Sequence, residues 1–394
     1  MKLFISYGMQ LDLFNGSNVH TIELLNNLKK LGVDVLLFSR SSKNRSYKNP
    51  NIIEVPSTHF QFLFSNYLNI FTYQLSLFLY LIYYTIKLKP DLFYARLSGS
   101  GASSTIVSSI LGIPQVGEVN GITIDEMIIQ GSSKSKIKIA QLIESINLKG
   151  CSKLIAVTDG VKKGLMEIYF IPESKIVVIN NGANTELFIP MDKNKVKKEL
   201  NLDSTLHYIC FVGNLIPWQG VEYLIRAAPP LILKEFADAR FLIVGDGIMK
   251  KEWMKLADDL GLLDNFIFTG RIPYEKVPVY INASDICVAP FIKERNSKIG
   301  LSALKTYEYL ACGKPLVASA IPGVKDLIEL SGGGIAVTPE NSEELAAAVI
   351  KLLRDENSRK LMGEKGRKYI VKNHSWNSVA KKVLSVCNEA SKSH

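Results

Sequence analysis

Short apolar runs alternate along the whole chain with longer segments of helical spacing. In the first half the strand candidates are 2–7, 34–38, 91–94, 115–119 and 153–157. Between the first two, Ile22, Leu24, Leu25, Leu28 and Leu31 recur at helical spacing, and Gly32 is a fitting stop. Strand, helix and strand of this size predict a βαβ unit and hence a parallel sheet. The pattern starts again in the second half, with strand candidates at 207–212, 240–244, 265–269, 286–290 and 315–318. Two successive units of this kind predict an α/β chain with two Rossmann-like, doubly wound parallel-sheet domains. Proline and polar residues interrupt the pattern at 188–194, so the domains are set at 1–190 and 191–374, with a last helix at about 375–394 free to pack back on the first.

One stretch departs from this alternation. Residues 60–86 contain no Asp, Glu, Lys or Arg, a length that matches a bilayer span. Gln61, Ser65, Asn66, Asn69, Thr72, Gln74 and Ser76 interrupt it, and polar groups are costly in hydrocarbon. Three readings stay open: a span, a buried helix, or a helix that touches lipid. Lys43, Arg45, Lys48, Lys134, Lys136 and Lys138 add basic charge to the last, a peripheral contact with the anionic inner face of a membrane. The apolar run at the N-terminus is too short for a signal peptide and reads as a first strand.

Composition narrows the chemistry. The 394 residues carry a formal net charge of +10, which admits nucleic acid, an anionic membrane surface or phosphorylated ligands as partners. No arginine-rich run or zinc finger supports nucleic acid. The five cysteines (Cys151, Cys210, Cys287, Cys312 and Cys387) form no Cys-x-x-Cys pair, and the five histidines form no spaced pair. That pattern predicts a reducing, cytoplasmic setting without disulfides or a metal site.

Ligands of open parallel sheets bind where strand ends lead into helices. Three such loops stand out. In the first, glycines including Gly16 precede a helix, which suits either an anion or an ordinary turn capped by Ser17 or Asn18. In the second, Val244-Gly245-Asp246-Gly247 resembles a dinucleotide fingerprint that lacks its third glycine, a weak signal for NAD; Gly99-Ser100-Gly101 is a similar decoy that reads as a flexible loop. The third is the strongest and runs from Gly300 to Ser319, with Ser302 as N-cap, a stripe of Leu304, Tyr307, Leu310 and Ala311, and Gly313 as the stop. Its N-terminal N–H groups offer positive charge to a phosphate. Lys305 in the first turn opposes the helix dipole, a poor choice unless an anion sits there. Glu308 falls on the same face, so an exposed Lys–Glu pair is the competing reading.

These segments, in their order, resemble family 4 of the retaining glycosyltransferases, which have the GT-B fold of two such domains facing a cleft. The likeness rests on Asn180-Asn181-Gly182-Ala183-Asn184, on the run from Phe211 to Ile225, and on Val244-Gly245-Asp246-Gly247. It continues through Phe268-Thr269-Gly270-Arg271-Ile272-Pro273, Ala283-Ser284-Asp285-Ile286 and the segment from Glu308 to Ser319. Ser302-Ala303-Leu304-Lys305 looks like a variant of the family before its ribose-binding glutamate.

The resemblance implies a metal-independent transfer of sugar from a UDP- or GDP-linked donor to a glycan or lipid-linked acceptor, in polysaccharide or glycolipid synthesis. It makes Glu308 the ribose anchor and gives the diphosphate to N–H groups of Leu304, Lys305 and Thr306. Arg271 and Ile272 fall where the base is held, and Gly213, Gly245 and Asp246 at the donor loops. Gly16 would approach the diphosphate from the other domain. The sequence also departs from the family. The first glutamate falls at Gly300, and the diphosphate-binding arginine and lysine fall at Asn214 and Gln219. Lys305, with Arg295 or Lys298 in the preceding loop, is the replacement charge. The catalytic histidine aligns with Asn120, leaving Glu118 or Glu126 to act on the acceptor. A sugar-nucleotide epimerase and a non-catalytic nucleotide-binding partner are the alternatives.

Overall fold

The computed structural model describes residues 1–11, 15–41, 49–57, 65–129, 131–227 and 231–392. Lys43, Arg45, Lys48 and the first residues of the charge-free stretch lie outside the described residues, as do the side chains of Glu126 and Arg295. The chain divides into two compact units, Met1–Asn180 with Asn377–His394, and Asn181–Trp376. The first boundary falls ten residues before the joint read from the prolines. The reason is that Ala183 and Phe188 are wholly buried in the second unit's core, and Ala183 pairs with Ser375.

The first unit is built on a seven-stranded parallel sheet. Its strands are β1 (Lys2–Gln10), β2 (Asp34–Arg40), β3 (Ile52–Val55), β4 (Leu92–Arg96), β5 (Gln115–Val119), β6 (Lys153–Ala156) and β7 (Ile176–Val178). They lie in the order β3-β2-β1-β4-β5-β6-β7. Leu3 of β1 registers with both Val35 and Leu92, so the direction of winding reverses at β1 and β4. The connecting helices are α1 (Gly16–Lys30), α2 (Ser65–Leu88), α3 (Ser103–Leu111), α4 (Thr123–Ile129), α5 (Lys134–Gly150) and α6 (Asp159–Tyr169). Right-handed crossovers put α2, α3 and α5 on the face opposite α1, where α2 packs beside α3 and α3 beside α5. Phe4, Phe38, Phe93, Tyr73, Leu77 and Leu81 fill the core between α2 and the sheet.

The second unit repeats the plan with six parallel strands. They are β8 (His207–Val212), β9 (Ala239–Val244), β10 (Phe266–Gly270), β11 (Ile286–Ala289), β12 (Leu316–Ser319) and β13 (Gly334–Val337), in the order β10-β9-β8-β11-β12-β13. Near-continuous Val, Ile, Leu and Phe runs in these strands fit burial on both faces. Here the winding reverses at β8 and β11. All ten strand candidates are present. The three the pattern missed, β3, β7 and β13, have four, three and four residues and stand at sheet edges, where a short strand carries too little apolar signal.

No described helix is long and apolar enough to cross a membrane. α2 buries one side in the core, which overturns the span and keeps the other two readings of residues 60–86. All five cysteines are buried free thiols.

Candidate functional site

The carboxyl ends of β8 and β11 form the switch point of the second sheet, the place where α/β sheets take ligands. The helix Leu304–Ala311 is fastened there by its own residues. Val212 N donates to Tyr309 Oη at 2.6 Å, Ser302 Oγ lies 3.0 Å from Tyr307 Oη, and Asn181 N donates to Ser302 Oγ at 2.8 Å. Ser302 is thereby occupied, and Ala303 is the N-cap, with no side chain capping the helix. This corrects the expected Ser302 cap and leaves the first-turn N–H groups of Leu304 and Lys305 without a side-chain acceptor from that position.

Lys305 and Glu308 are both buried, at 8% and 6% exposure, so they are not a surface pair. The Lys305 ammonium lies 3.8 Å from the centroid of the Phe211 ring and 5.5 Å from that of Phe291, a cation–π cradle. Its Nζ donates to Gln219 Oε1 at 2.6 Å. It forms no ion pair among the described residues. Burial pushes its pKa well below the usual lysine value, only partly opposed by Glu308. Gly213 makes room for it: a Cβ there would stand 2.5 Å from Nζ, on a backbone with φ of +149°. Lys305 thus delivers its Nζ to the segment that holds Asn214 and Gln219.

Glu308 Oε1 accepts from Tyr274 Oη at 3.1 Å, which ties the helix to the segment after β10. In that segment Arg271 is exposed and Ile272 packs on the core. Gly245 follows β9 and donates to Gly270 O, while Asp246 is exposed and caps its own loop through Gly247 N. Residues 293–299 form a helix rather than the expected loop. Lys298 on that helix is exposed.

A second constellation stands at the switch point of the first sheet, around Glu118. His20 Nε2 lies 2.9 Å from Glu118 Oε2, Tyr94 Oη donates to the same oxygen, and Asn120 Nδ2 donates to Oε1 at 2.6 Å. Arg96 stands 4.0 Å away and donates to Ser17 O. Burial works against ionisation of Glu118, but His20, Arg96 and Tyr94 outweigh it and hold the pKa well below the usual carboxylate range. A carboxylate so engaged is a poor general base. Its geometry makes it the anchor of His20 and Asn120. Sequence patterning missed His20, Tyr94 and Arg96, because α1 and β4, distant in sequence from Glu118 on β5, supply them. Gly16 is exposed in the first turn of α1, and the cap is Asn15, whose side chain accepts from Asn18 N. Asn18 is buried instead, accepting from Tyr7 Oη and donating to Gln10 O.

Comparison with known proteins agrees with this architecture. Residues 14–187 match the family described as Glycosyltransferase Family 4, and residues 192–369 the family described as Glycosyl transferases group 1. An uncharacterized glycosyltransferase of Methanocaldococcus jannaschii is 28% identical over 253 residues, 63% of this chain and 63% of that one. The chain spans under two thirds of the length of that relative. A sucrose-phosphate synthase from Thermosynechococcus elongatus superposes with a TM-score of 0.80 at 18% identity, covering 100% of both chains. The Anabaena protein HepE, solved in complex with UDP-glucose, gives 0.76 at 17% identity, covering 99% of this chain and 100% of that one. With both halves matched in order and two parallel α/β sheets beneath them, the chain belongs to the family 4-like glycosyltransferases of GT-B type.

Proposed function

We propose that the chain is a retaining glycosyltransferase that moves a sugar from a UDP- or GDP-linked donor to a glycan or lipid-linked acceptor, in cell-surface polysaccharide or glycolipid synthesis, without a metal. One observation carries the reading: a buried ammonium, Lys305, has aromatic and amide neighbours and no ion pair among the described residues. A diphosphate beside the uncapped N-terminus of the helix Leu304–Ala311 would supply the missing anion. Departure of that diphosphate concentrates negative charge on its oxygens, and a fixed ammonium with oriented N–H groups stabilises the charge as it develops.

The remaining roles follow from position. Glu308, oriented by Tyr274, accepts hydrogen bonds from ribose hydroxyls. Backbone groups at Arg271 and Ile272 meet the base. Gly213, Gly245 and Asp246 line the approach, with Asn214 and Gln219 as neutral contacts. In the first unit Glu118 holds Asn120 so that its carboxamide is fixed for the acceptor or sugar. The HepE complex supports a nucleotide-sugar ligand for this fold.

The test is release of nucleoside diphosphate from a panel of UDP- and GDP-sugars, with and without candidate acceptors, with the anomeric configuration of the product read by NMR. Acceptor-dependent release with retention supports the proposal. Isomerised sugar without transfer would assign an epimerase, and absence of both turnover and binding would leave a non-catalytic partner.

A further inference from the structure

A helix that covers a sheet ordinarily turns an apolar side inward and a polar side to water. α2 obeys the first half only. Tyr73, Leu77 and Leu81 are buried, yet on the opposite side Phe71, Leu75, Leu79 and Ile86 are exposed, Phe71 at 64% and Leu79 at 57%. Spacings of four, four and seven put these on one stripe, which at ~1.5 Å per residue runs over 20 Å. The stripe does not end with the helix. Beside it α3 exposes Ile110 at 63%, and beside α3 the helix α5 exposes Ile139 and Leu142. Scattered apolar residues on a surface are ordinary, but a face shared by three adjacent helices is not.

The exposed charge on these three helices has one sign. The three helices carry Lys87, Lys134, Lys136, Lys138 and Lys149, all exposed. Their one acidic residue, Glu144, is buried and bound to Thr123 and Tyr169. An apolar stripe with a lysine rim is the composition of an interfacial helix.

We propose that the outer face of α2, α3 and α5 docks on an anionic lipid bilayer, with α2 lying in the plane of the headgroups. A span is ruled out by the burial of Tyr73, Leu77 and Leu81 against the sheet. A second copy of the chain is the poorer occupant, since a two-fold contact would set lysines near lysines with no exposed acid on these helices to answer them. Phosphate headgroups do answer them, and the acyl boundary takes up Phe71, Leu79 and Leu142. The inference is independent of the catalytic reading.

The experiment is co-sedimentation of the full chain with vesicles of phosphatidylcholine alone, and with vesicles that contain roughly a third phosphatidylglycerol. Partitioning should favour the anionic vesicles at least tenfold and weaken as salt is raised, since each lysine near the surface contributes about fivefold. The K134Q/K136Q/K138Q variant should lose about 100-fold on that basis. The L79D/L142D variant should lose binding to both vesicle types while its circular dichroism and melting stay those of the native chain. Equal binding to neutral and anionic vesicles would overturn the proposal. So would native-like partitioning by folded variants, or a stable dimer that masks the face and leaves vesicles unbound.

Discussion

Replacing Lys305 with methionine separates the two roles that a buried lysine can have. The ammonium is held by a ring 3.8 Å away and one amide oxygen at 2.6 Å, without an ion pair among the described residues. Burying a charge with so little compensation is costly, and an apolar side chain of similar length should stabilise the ligand-free protein by about 1–3 kcal/mol. The sign with pH follows from the depressed pKa. Below the folded value, both folded and unfolded chains carry the charge, so the penalty is complete. It is relieved as pH rises from that value towards the unfolded 10.5, and the native chain should gain stability over this window while K305M does not. Loss of a charge-assisted contact to phosphate in a dry site should cost about 2–4 kcal/mol of nucleotide affinity, roughly 30- to 1,000-fold in Kd. Calorimetric titration with UDP and GDP, beside thermal melting, reads both quantities. A variant that melts lower and binds nucleotide as well as the native chain would refute the reasoning and make Lys305 a structural residue.

Two further substitutions test the geometry. E118Q should destabilise the protein by about 3 kcal/mol at neutral pH, because it breaks a buried pair. Since the folded pKa is lowered, that contribution is present above the unfolded value of 4.5 and lost as pH falls below it, so native and variant melting curves should converge in acid. G300E, which restores the family's glutamate by sequence, should lower stability and fail to raise donor affinity. The backbone there has φ of +69°, and a Cβ would meet Pro322 O at 2.8 Å, so melting and UDP titration of that variant settle whether the loop admits a side chain.

The alternation of apolar runs determined both sheets, because a strand buried on both faces leaves an uninterrupted apolar signature in the chain itself. It also determined the place of the donor candidate, since Gly300, Lys305, Glu308 and Gly313 lie within one short segment. What it could not determine were the partners of those residues. Whether Lys305 and Glu308 formed a surface pair depended on Phe211, Phe291 and Tyr274, which lie 14 to 94 positions away in sequence and meet them only after folding. The role of Glu118 turned on His20, Tyr94 and Arg96, brought together by the reversal of winding at β1 and β4. The charge-free stretch before Lys87 was open to a span, a buried helix or a lipid contact, because hydrophobicity alone does not say which side of a helix the sheet will take. Tertiary structure decided that by burying Tyr73, Leu77 and Leu81 and leaving Phe71, Leu75 and Leu79 outside.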